Sequence, residues 1–150
     1  MKLIGNLLAV LVFWGVSIVH ADDRQDVLDF MSTVYTSWEQ GDFEGVKSTI
    51  AIDDMDYYHP NGNLIEAPDW VAMKLGIEAG NRAKIQAYHQ NVRIYGNTAL
   101  YTAYERVNVT GPDRDPVLET RRSTNVLIKE KGEWKMVHWH GSLLTPVNPE

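Results

Sequence analysis

The stretch "PVLETRRSTNVLIKEKGEWKMVHWHGSLL", residues 116–144, decides the fold. It is dense in β-branched and aromatic residues and is interrupted only at Glu130-Lys131-Gly132, so it predicts two long strands joined by a tight turn. Side chains alternate along extended chain. On the second strand Trp134, Met136, His138, His140 and Ser142 are therefore expected on one face, with Val137, Trp139, Gly141 and Leu143 on the other. Immediately upstream, "KIQAYHQNVRIYG" (84–96) and "TALYTAYERVNVTG" (98–111) follow the same pattern, so everything after about Ala83 reads as strand.

Before the strands the periodicity changes. Val27, Phe30, Met31, Val34, Tyr35 and Trp38 recur at the three-and-four spacing of one buried helix stripe. Gly41 then supplies a helix stop, and Asp42 a cap for a short helix over "DFEGVKSTI" (42–50). "DMDYYHPNGN" (54–63) predicts a short strand running into a turn at Pro60-Asn61-Gly62, and Pro68 opens a further helix over "PDWVAMKLGIEAG" (68–80). Helices followed by hairpin-linked strands imply an α+β domain, with the helices on one face of an antiparallel sheet. The closing "TPVNPE" is expected to be loose.

Residues 1–21, "MKLIGNLLAVLVFWGVSIVHA", carry Lys2, an apolar run from Leu3 to Val19 and the small-residue junction Val19-His20-Ala21. This is the pattern of a cleaved secretory signal, and it sends the protein to the periplasm or outside the cell. Gly5, Asn6, Gly15 and Ser17 weaken the rival reading as a membrane anchor. Cleavage there leaves residues 22–150 as a single domain with 13 basic against 20 acidic side chains. That balance disfavours nucleic acid and, once the signal is removed, anionic membranes as partners. The chain has no cysteine, which excludes thiol nucleophiles, thiolate metal sites and disulfide staples. Asn108 begins an "NVT" glycosylation sequon, a short pattern of low specificity.

Four strings in order, "GDFE" (41–44), "GNLIEAPDW" (62–70), "AYERV" (103–107) and "GEWKMVHWHGS" (132–142), resemble the nuclear transport factor 2-like superfamily, which includes the SnoaL-like proteins. Within it the likeness is to the association domain of calcium/calmodulin-dependent protein kinase II and its stand-alone relatives. The resemblance implies a cystatin-like, cone-shaped curved antiparallel sheet with N-terminal helices packed on its concave face. It does not carry kinase activity with it, because the chain has no glycine-rich phosphate loop, no HRD and no DFG. Association domains place arginines in the pocket at the positions of Asn125 and Gly141, and a histidine at that of Val71. All three are missing here.

His138 and His140 share a strand face and could hold a metal if a third ligand approached, but His59 and His89 lie on other elements, so no metal site is assigned. As a catalytic pair they would need Glu105 or Glu119 opposite. The resemblance points Val137, Trp139 and Gly141 into the cone and turns the histidines toward a subunit interface or a hydrogen-bonded layer. Tyr35 reads as core, the remaining tryptophans as core or cavity wall, and Arg106 as an ion-pair partner of Glu119.

The resulting expectation is an exported domain that self-associates, as a homodimer or higher ring, and holds a small apolar or amphipathic molecule without a cofactor. Tyr58, Tyr104, Arg121, Asn125 and Trp139 would form the wall and polar contacts, with Arg121 sharing the strand parity of Asn125. One alternative is a cofactor-independent acid/base enzyme of the isomerase, cyclase or dehydratase type, with Asp54, Asp56 or His59 as first candidates and no catalytic residue assigned. Another is a purely structural oligomerisation module.

Overall fold

The structure, a computed structural model, describes residues 19–50, 55–58, 64–65 and 68–144, of which 19–22, 56–58 and 64–65 are placed by backbone alone. The expected signal segment up to residue 18, the turn at Pro60-Asn61-Gly62 and the tail at 145–150 lie outside this set. In chain order the elements are α1 (Val19–Gln40), α2 (Phe43–Thr49), β1 (Asp56–Tyr58), β2 (Leu64–Ile65), α3 (Trp70–Glu78), β3 (Arg82–Tyr95), β4 (Thr98–Gly111), β5 (Arg114–Glu130) and β6 (Glu133–Leu143).

Strands β3 to β6 form an antiparallel meander. The β5–β6 connection needs two residues of left-handed backbone, Lys131 at φ 52° and Gly132 at φ 89°, the geometry that matches the twist of a two-residue hairpin. Beyond β6 the sheet continues with the earliest strands of the chain. β1 adds parallel to β6, with Tyr57 opposite Trp139, and β2 completes the order β2-β1-β6-β5-β4-β3. The α+β architecture and the curved antiparallel sheet therefore follow the sequence, while the parallel edge adds a pairing that alternation along β6 does not reveal.

Bulges bend the sheet, since an extra residue on one strand increases its local twist, and those in β3 and β6 shape the concave side. In β3, His89 and Gln90 together oppose Ala103, with His89 at φ 52°. In β6, Val137 is the extra residue, because Val126 pairs with His138 while Leu127 pairs with Met136. The Val137 bulge corrects the strict alternation expected from sequence. Trp134 and Met136 lie on the core side, the phase then shifts, and Trp139 and Gly141 take over that side, in register with Asn125 and Ser123. His138 and His140 thus part from Trp134 and Met136, with which unbroken parity had grouped them.

The helices cover the concave side. Val27, Met31 and Val34 of α1 are buried against Val92, Ala99, Tyr101, Ala103 and Leu127 of the sheet, the stripe that its three-and-four spacing implied. Lys129 fastens the start of α1 through Asp23, 2.7 Å away, whose hydrogen bond holds the ammonium above its ordinary range. Asp42 caps α2 by accepting from the Gly45 amide at 2.9 Å, and Lys135 Nζ donates to the Ser48 carbonyl oxygen, tying α2 to β6. Asp42→Ala is expected to lower stability by about 1 kcal/mol, read as a reduced urea midpoint with an unchanged slope.

Candidate functional site

Helix stripe and sheet do not close completely on each other. Between them lies a cavity of about 370 Å³, walled by Met31, Val34, Tyr35 and Trp38 of α1, by Val46 and Ile50 at α2, and by Ile85, Val107, Met136 and Trp139 of the sheet. The wall is mostly apolar, as small-molecule pockets commonly are. Polar groups gather on β4 and β5, where Glu105, Arg121 and Asn125 face inward and Tyr35 meets them from α1.

Glu105 is the centre of this group, with only 1% of its surface exposed. Its Oε1 accepts from Tyr35 Oη at 2.9 Å and from Ser123 Oγ at 2.7 Å; its Oε2 accepts from Arg121 Nε at 2.7 Å. All three partners are donors, the set that suits a carboxylate, which has only acceptor sites. Strand register explains the convergence: Glu105 stands opposite Arg121, and Ala103 opposite Ser123, so these side chains rise from one patch of sheet. Asn125 extends the row by donating to Ser123 Oγ at 3.2 Å. Its Oδ1, like Trp134 Nε1, is buried and has no partner among the described residues.

On the other side of Tyr35, the Tyr101 hydroxyl lies 3.1 Å away and donates to Gln90 Oε1 at 2.9 Å. The β3 bulge is what turns Gln90 inward to receive it. Burial pushes the Tyr35 phenol far above its ordinary range, reinforced by the nearby charge of Glu105. Burial also pushes Tyr101 up to about 12. Both tyrosines therefore act near neutrality as hydrogen-bonding hydroxyls.

Of the residues singled out in sequence, Arg121, Asn125 and Trp139 line the cavity. Tyr104 is corrected: it neighbours the inward Glu105 on an alternating strand, so it points to the opposite face, 44% exposed and edge-on to His89. The expected pairing of Arg106 with Glu119 is also corrected. Arg106 stands opposite Thr120 and Glu119 opposite Val107, and the ion pair made across these strands is Glu105–Arg121. Tyr58 and Asp56 are placed only by backbone in β1, and Asp54 and His59 lie outside the described residues. Among the described residues no three His, Asp or Glu side chains gather as a metal-binding group. Val71 is 71% exposed on α3.

Sequence reasoning missed Glu105 as an organiser and assigned Tyr35 to packing. A signal was available, since Tyr101, Ala103, Glu105 and Val107 share one parity and three of them are core residues. A lone acid in that row had to be buried and paired.

With the geometry established, the chain can be set beside known proteins. The model of the SnoaL-like domain matches residues 27–146. No curated protein matches. Among solved structures, a candidate dehydratase of the NTF2-like family from Streptomyces avermitilis superposes with a TM-score of 0.72 at 21% identity, covering 84% of this chain and 99% of that one. A candidate calcium/calmodulin-dependent kinase II association domain from Exiguobacterium sibiricum gives 0.69 at 12% identity, covering 89% and 100%. The kinase hub homology domain of Chlamydomonas reinhardtii gives 0.66 at 21% identity, covering 82% and 99%. At these identities the likeness establishes the fold.

The two raised tyrosines make stability fall with alkali. Below about pH 10 both keep their protons folded or unfolded, and their contribution is complete. Above it the unfolded chain ionises first, whereas the folded chain holds the Tyr101 proton up to about 12 and the Tyr35 proton beyond. Stability should decline at about 1.4 kcal/mol per pH unit for each tyrosine, and Tyr35→Phe should remove one tyrosine's share of that slope. Urea unfolding from about pH 9 to about pH 12 measures it.

Proposed function

Because the chain belongs to the SnoaL-like domain family, a fold that serves both binding and catalysis, we propose that it is a binding domain for a small, mostly apolar molecule held in the cone. The observation that carries this reading is the cavity itself: about 370 Å³ of space walled by Met31, Val34, Trp38, Val107 and Trp139, with Tyr35, Arg121 and Asn125 gathered around Glu105 as its main polar group. Moving an apolar molecule from water into such a space is favourable by about 25 cal/mol for each Å² buried.

Export and self-association belong to the same proposal. The apolar run from Leu3 to Val19 and the small-residue junction Val19-His20-Ala21 support export. The likeness to an association domain and a hub domain supports self-association. So does the outer sheet face, where Tyr88 and Tyr104 pair across strands, 49% and 44% exposed, with Leu118 at 58% on the same sheet.

A cofactor-independent acid/base enzyme is the second reading, favoured by a buried carboxylate and a tyrosine hydroxyl on the cavity wall. It ranks second because Glu105 already accepts from Tyr35, Ser123 and Arg121, an arrangement that fixes the carboxylate in place.

The binding reading is tested with 1-aminoanthracene, a neutral dye that brightens in apolar surroundings. The wild type should bind it, and Val109→Phe, at a β4 residue that also lines the cavity, should weaken it about tenfold without loss of the folded state. Wild-type protein that leaves the emission unchanged sinks the proposal. Native mass spectrometry addresses assembly: Tyr104→Glu should shift the protein toward monomer, and an unaltered mass distribution removes the outer face as the interface.

A further inference from the structure

Arg121 is incompletely used by the fold. Its side chain is 12% exposed, and its Nε is committed to Glu105. One face of the guanidinium is covered by the Trp139 ring, whose centroid lies 4.9 Å away. Its two Nη groups make no hydrogen bond to the described residues, and the residue lines the cavity. Stacking occupies the face of a guanidinium and leaves its in-plane N–H donors directed outward. A charged group this buried gains from an acceptor that enters the cavity beside it.

Charge decides which oxygen. Glu105 already compensates Arg121, so the pair is neutral as a unit. A carboxylate or phosphate docked on the same guanidinium would bring a second negative charge close to Glu105, which at 1% exposure is little screened by water. A neutral acceptor meets no such opposition. We infer that Arg121 anchors the carbonyl oxygen of a neutral ligand, a ketone, ester or amide on an apolar body, with Trp139 as the wall beside it.

This inference rests on the cavity being a binding site, and the experiment separates the two. Three compounds that share a naphthalene body are compared by displacement of 1-aminoanthracene: 2-acetylnaphthalene, its near-isosteric hydrocarbon 2-isopropylnaphthalene, and 2-naphthoate. The ketone is expected to bind about tenfold more tightly than the hydrocarbon, the gain of one hydrogen bond to a charged donor, and the carboxylate less tightly than the ketone. Arg121→Met should reduce the ketone preference to about onefold. That variant strands the charge of Glu105 and can misfold, so the paired variant Arg121→Met with Glu105→Gln is measured beside it. Equal affinity for ketone and hydrocarbon in the wild type overturns the inference and leaves the binding reading intact. Tightest binding of the carboxylate overturns the neutral class. A ketone preference that survives the paired variant overturns the role of Arg121. Dye that never binds defeats the underlying reading as well.

Discussion

A carboxylate with 1% exposure, placed between a helix and a sheet, is the constraint on which the rest of this structure depends. Burying a charge is unfavourable unless donors replace the lost water. Glu105 on β4 recruits them from α1, through Tyr35, and from β5, through Arg121 and Ser123. Those partners can converge only if β4 and β5 keep their register and α1 sits at one height above them. Slipping a strand by one residue would send its whole inward row to the outer face and leave the acid unpaired. Apolar burial draws helix and sheet together; the acid selects which arrangement of the two is acceptable.

The bulges serve the same end. Without the extra residue in β3, Gln90 would leave the concave side, and the Tyr101 hydroxyl would lose its acceptor. The one in β6 lets Met136 and Trp139 both reach the cavity, which strict alternation forbids for residues three apart. Trp139 then lies where it can cover Arg121, so a single inserted residue supplies both the apolar wall and the stacking partner of the charged group.

Much of this fold was legible in the chain. The α1 stripe, the Asp42 cap and the Glu130-Lys131-Gly132 turn each carry a local signal with a local cause, and the four meander strands follow from alternation and turn residues. The resemblance added the concave packing. What escaped reading depended on pairs distant in sequence. Bulges leave no mark in a single strand, so Trp134 and Met136 were grouped with the wrong neighbours. The ion pair was sought one residue out of register, at Arg106 and Glu119, since nothing within β4 alone says which residue of β5 it will meet. Tyr35 looked apolar because its stripe is apolar, although its hydroxyl lies at the end of a ring long enough to reach Glu105. Tyr104 was drawn to the cavity by residue type against its own strand parity.

The parallel pairing of β1 with β6 also bears on how the chain reaches this state. Each meander hairpin closes over a short loop, and the price in chain entropy is correspondingly small. Tyr57 meets Trp139 only after nearly the whole sheet has been threaded between them, and that contact raises the mean sequence separation on which folding rate depends. Substitutions confined to β1 or β2 would then act chiefly on the speed of unfolding, whereas those in β4 and β5 would alter how fast the sheet first assembles.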